Sequence, residues 1–147
     1  MKKLSIAACA AAVALFVVTA PVAGSTQDSY KLSAKLTAKQ EVPKPTGVRK
    51  GAGGTFTGTL KSEKLTFRLT FRRLSGAAQA AHIHLGKRGK AGPVLVALCG
   101  PCKSGKRLSV KVDEKTENAI ENGRAYVNVH TAKNADGEIR GQVRAKR

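Results

Sequence analysis

Residues 65–72 alternate without a break: Leu65, Phe67, Leu69 and Phe71 against Thr66, Arg68, Thr70 and Arg72. An apolar side chain at every second position matches the two-residue pleat of a strand and no helical face. The segment therefore belongs in a sheet with one buried side and one wet side. The same period runs through Tyr30, Leu32, Ala34, Leu36 and Ala38, with Lys31, Ser33, Lys35, Thr37 and Lys39 between them. Further strands are predicted over residues 55–60, 80–85, 94–98, 108–112, 125–130 and 138–143. Residues 41–54, with Pro43, Pro45 and four glycines, read as a turn-rich connection. One helix is expected over 114–122, with Asp113 as its N-cap and Gly123 as its stop. Strands at this spacing predict an all-β antiparallel sandwich with one short helix, not a βαβ array.

The first residues read as an address, not as fold. Lys2 and Lys3 precede an uncharged Ala- and Val-rich run over residues 4–19, short for a membrane span and suited to a signal peptide. With small residues at Ala23, Gly24 and Ser25, the expected division is a signal peptide at 1–24 and one domain at 25–147. The expected setting is extracytoplasmic, in a periplasm, at a cell wall or secreted, with no membrane span after cleavage. Removing 1–24 takes away two lysines and no acid, so nearly all of the net charge of +18 stays with the domain. Such a charge attracts polyanions. Lys87, Arg88, Lys90, Lys103, Lys106 and Arg107 are the candidate contacts. The expected partner is an anionic cell-envelope polymer or another extracytoplasmic protein. Nucleic acid is not expected as a specific partner, because Phe67 and Phe71 sit on a core-facing pattern and no stacking platform is left.

All three histidines fall on one parity. His82 and His84 flank Ile83, so their imidazoles share a strand face. In the 125–130 strand, Val127 and Val129 take the apolar side, leaving Tyr126, Asn128 and His130 on the other. If the two strands are neighbours, three imidazoles converge, a donor set that suits Cu(II) or Zn(II). Glu138 is a candidate fourth ligand, by parity with Arg140 and Gln142. The competing reading gives these histidines only hydrogen bonds to loops and carboxylates. Nothing in the pattern supplies a convincing nucleophile and base, so no enzymatic activity is expected.

Cys99-Gly100-Pro101-Cys102 spells a thioredoxin-like tetrapeptide. In that redox arrangement a helix starts at the first cysteine and lowers its thiol pKa. Here Leu108, Val110 and Val112 follow with a strand pattern, so a local structural disulfide is the expected outcome, thiol–disulfide exchange the alternative.

Residues 81–86 (Ala-His-Ile-His-Leu-Gly), Gly92-Pro93-Val94, residues 126–131 (Tyr-Val-Asn-Val-His-Thr) and residues 137–142 (Gly-Glu-Ile-Arg-Gly-Gln) come in an order that resembles the CHRD (chordin) domain family. The opening Leu36, Gln40, Glu41, Val42 and Pro43 also looks like that family's start. The resemblance spans about residues 31–145. It implies an immunoglobulin-like Greek-key β-sandwich outside the cytoplasm, without an established activity. The same motifs have structural readings. Residues 134–137 (Asn-Ala-Asp-Gly) signal a hairpin, which Asn128 and Thr131 are expected to tie by side-chain-to-backbone bonds. Glu138 and Arg140, two apart on one face, could form ion pairs across neighbouring strands, which contribute little where exposed. The function expected first is a non-catalytic exported binding module with a basic surface; the alternative is a Cu/Zn-binding protein using His82, His84 and His130.

Overall fold

A computed structural model describes residues 29–147; the signal-peptide reading of 1–24 lies outside the described residues. Over the described residues the chain forms nine strands: β1 (Ser29–Thr37), β2 (Gly53–Lys61), β3 (Lys64–Arg72), β4 (Ala78–Leu85), β5 (Val94–Cys99), β6 (Arg107–Lys111), β7 (Ala125–Thr131), β8 (Ile139–Gln142) and β9 (Arg144–Lys146). One helix, α1 (Glu114–Glu121), lies between β6 and β7. A single 3-10 turn, Ala38–Gln40, follows β1.

The strands form one continuous antiparallel sheet in the order β5-β4-β7-β8-β1-β2-β3-β6, with β9 also pairing β1. The first four and last four strands make two halves that meet where Thr37 pairs Arg140. At the far ends β5 and β6 come into contact, so the sheet is close to a closed barrel. The segment between them crosses from one half to the other, with Cys102 N–H on the Ala78 carbonyl and Gly105 N–H on the Leu69 carbonyl.

Period two sets the core. Along β1, Tyr30, Leu32, Ala34 and Leu36 are buried and the residues between them face solvent or nearly so. Phe56 of β2 and Phe67 of β3 stack inside at 5.6 Å between ring centroids. Ile83, Val127, Val129 and Ile139 close the core from the other half, all at 0% exposure. The helix follows the sequence signals: Asp113 accepts from Thr116 N–H at 2.8 Å, and Gly123 leaves with φ +63°. Thr116, Ala119 and Ile120 are its buried residues. The 138–143 strand is shorter than its pattern suggests: Glu138 precedes β8, and Val143, whose N–H goes to the Ala125 carbonyl, stands between β8 on β7 and β9 on β1.

The half that carries the histidines departs from the wet-outside rule. Strand β7 is buried on both faces from Ala125 to Val129. Its outward Tyr126 and Asn128 are covered by residues 86–92, by Glu41 after the 3-10 turn and by the 134–137 hairpin.

Candidate metal centre

Strand register brings the histidines together. In the β4–β7 ladder His82 lies opposite Asn128 and Ala80 opposite His130, which places His130 diagonal to His82. Each of the three imidazoles offers one nitrogen, and these atoms lie within 4.8 Å of one another. His82 Nδ1 is 3.0 Å from His130 Nε2. Two nitrogens each about 2.0–2.1 Å from one tetrahedral ion would stand only a little farther apart, about 3.3 Å.

Hydrogen bonds at the back of the rings fix which nitrogen faces the centre. His130 Nδ1 donates to the Ala135 carbonyl at 2.8 Å, and His84 Nδ1 donates to the Gly92 carbonyl at 2.9 Å. A carbonyl only accepts, so both rings carry their proton on Nδ1, and each ring, when neutral, presents a lone pair on Nε2. The His130 lone pair accepts from His82 Nδ1. His84 Nε2 is buried and has no hydrogen bond of normal geometry. A backbone carbonyl behind each of two rings is the outer support that metal-ligating histidines commonly have.

Charge is arranged in the same direction. Burial holds His82 below the usual imidazole range, and the facing His130 and His84 lower it further. Burial also lowers His84, with His130 and Arg140 acting the same way against the raising effect of the Gly92 carbonyl and Asn128. His82 and His84 are therefore neutral at pH 7 and available as ligands without losing a proton.

A polar layer holds the centre on its inner side. Arg140 is 1% exposed, donates to the Lys87 and Lys90 carbonyls at 3.0 and 2.8 Å, and lies 3.3 Å above the Tyr126 ring. The Tyr126 ring in turn stacks on His84 at 5.0 Å with an 11° interplanar angle. Gly92 takes part because no side chain fits there: a Cβ would stand 1.8 Å from the Leu85 carbonyl oxygen. Gly137 is similarly confined, at φ +126° and packed on Asn128 and Glu41. Asn128 donates to the Asp136 carbonyl and Asn134 N–H to Thr131 Oγ1, so these two side chains do tie the hairpin.

Glu138 does not join the histidines. It precedes β8, and its carboxylate turns to the opposite side, accepting from Ser75 N–H and Ser75 Oγ at 2.6 Å each and from Thr131 Oγ1 at 2.7 Å. Asn134 Nδ2 adds a longer contact at 3.4 Å. Burial raises this carboxyl, but the hydrogen bonds from Ser75, Thr131 and Asn134 outweigh it and leave Glu138 below its ordinary value. In place of cross-strand ion pairs, Glu138 takes these neutral donors and Arg140 the Lys87 and Lys90 carbonyls. Strand parity fails for Glu138 because it lies outside the ladder.

Cys99 and Cys102 form a disulfide at the end of β5, with 5.2 Å between Cα atoms. No helix begins at Cys99; strand β6 follows, so the thiol-activating helix of a redox site is missing. Lys87 and Lys90 lend their carbonyls to Arg140, and Lys103 and Lys106 lie in the segment that leads from the disulfide to Arg107 at the start of β6. The residues the sequence reading left out are Glu41 and Arg140 as buried groups. Both stand in the family-like motifs, but in segments that read as a loop and an exposed face, so nothing local marked them as buried.

The model of the CHRD domain family matches residues 32–143. No curated protein and no solved structure gives a significant match.

Proposed function

The chain belongs to the CHRD domain family, and on that premise we propose that it is a non-catalytic extracytoplasmic module that binds one Cu(II) or Zn(II) ion through His82, His84 and His130. The observation that carries this is the pair of Nδ1–H bonds to the Ala135 and Gly92 carbonyls, which leaves two Nε2 lone pairs directed to one place. His82 completes the set once its proton moves from Nδ1 to Nε2. A set of three imidazoles suits both ions and leaves a fourth position to water or to a donor from a partner. The ion would fasten β4, β7 and the 134–137 hairpin to one another. Export by the 1–24 segment and an immunoglobulin-like Greek-key reading of the two joined half-sheets belong to the same proposal.

Isothermal titration of the oxidised protein with Zn(II) and with Cu(II) tests it, beside His84→Ala and His130→Ala. The expected result is one equivalent bound with Kd below micromolar, weakened at least a hundredfold in either variant. A folded protein that takes up neither ion at 100 micromolar would overturn the proposal.

A further inference from the structure

The other half of the molecule, β9-β1-β2-β3-β6, faces outward with a composition that folding does not require. Its outward strand positions carry ten cations, no carboxylate and no aromatic ring; nearly all the rest are Ser or Thr. The register sets like charges directly against each other: Lys31 opposite Lys146, Lys61 opposite Lys64, Lys64 opposite Lys111 and Arg68 opposite Arg107. Like charges in cross-strand positions destabilise a sheet. Among the described residues Glu63 relieves Lys111 alone, at 3.1 Å from the turn.

The same face is grooved. A cleft of about 640 Å³ includes Lys35, Arg88 and Arg144 with the hydroxyl residues Ser33, Thr55 and Thr57. A second hollow of about 200 Å³ lies over Thr57, Thr59, Thr66, Arg68 and Arg107. Thr57 lines both, so the two join into a track running across the strands. From β9 to β6 it crosses five strands, about 19 Å at the usual strand spacing.

We infer that this face is a binding site for an anionic polysaccharide laid across the strands. The cations meet its acidic groups, and the Ser and Thr hydroxyls between them meet its sugar hydroxyls. The lack of any outward aromatic ring disfavours single-stranded nucleic acid, which needs stacking platforms. The lack of apolar side chains disfavours a lipid surface, which needs something to insert. Of the basic residues singled out in the sequence, Arg88 and Arg107 line the track; the site is a sheet face and not a loop cluster. The inference is independent of the metal centre, which lies on the other half.

The test measures fluorescence anisotropy with labelled dextran sulfate, polygalacturonate and neutral dextran of matched length. The face variant is Lys35→Ser/Arg68→Ser/Arg107→Ser/Arg144→Ser; the control removes the same charge elsewhere, Lys39→Ser/Lys115→Ser/Arg124→Ser/Lys133→Ser. Binding to either anionic polymer and not to dextran is expected, weakened at least tenfold in the face variant and less than twofold in the control. The face variant should melt close to the parent, since the relieved Arg68–Arg107 contact offsets the lost Arg68 bond to the Gly105 carbonyl. Equal loss in both variants would reduce the effect to net charge and overturn the inference. So would an oligothymidylate of matched charge that binds as tightly as dextran sulfate, which would move the site to nucleic acid.

Discussion

Replacing Glu41 by glutamine should make the protein more stable at neutral and alkaline pH and change it little in acid. Glu41 is 1% exposed. Burial pushes its carboxyl up to about 7 from 4.5, against the lowering effects of Arg140, the Val42 N–H, Asn128 and Lys44. A carboxyl whose folded value is raised holds its proton more firmly in the folded state. Its contribution is fully present below 4.5 and is lost as pH rises through about 7. A shift of this size corresponds to about 3 kcal/mol. The glutamine side chain keeps the shape, cannot ionise, and escapes that loss. The stability of Glu41→Gln minus that of the parent should therefore climb by about 3 kcal/mol between pH 4.5 and 8, an order-of-magnitude figure. In urea this moves the midpoint by about 1–3 M at the high-pH end. His82 and His84 impose an opposite trend: their lowered values add stability as pH rises towards the ordinary imidazole value of 6.5. Both proteins share that trend, so it cancels in the difference. Urea denaturation at half-unit pH steps is the assay. A difference that stays flat from pH 5 to pH 8 would refute the reasoning, and would mean that Glu41 stays ionised beside Arg140.

Glu138→Ala should cost about 3–5 kcal/mol, because it strands the donors of half-buried Ser75 and buried Thr131 that now share one carboxylate; a melt more than about 10 °C lower checks this. Since the carboxyl is held below its ordinary value, its contribution is present above about 4.5 and fades as the solution is acidified further, so the variant should show a weaker acid transition. Cys99→Ser/Cys102→Ser should cost about 2 kcal/mol on the chain-entropy account of so short a loop. Metal uptake should be unchanged in it, as read by titration, because the cysteines are not part of the histidine set.

Alternation alone determined much of this protein. Leu65, Phe67 and Leu69 have one physical place to go, and so do Val127 and Val129, since leaving them in water forfeits their hydrophobic burial. The helix limits were written in Asp113 and Gly123 for the same local reason, a cap and a left-handed exit. Parity also put His82, His84 and His130 on one face. What parity could not decide was adjacency. The pairing of β4 with β7 closes the triad, and even its nearest partners, Leu85 and Ala125, are 40 positions apart, a separation no local pattern encodes. Strand β8 beyond β7 then brings Arg140 against Tyr126. Tertiary structure also decided the fate of polar groups. Arg140, Glu41 and Asn128 look like solvent-facing residues in the sequence, yet residues 86–92 and the 134–137 hairpin cover them. Glu138, just outside its ladder, left the face that its spacing assigned. A buried polar group goes where donors are found, and only the assembled chain supplies them.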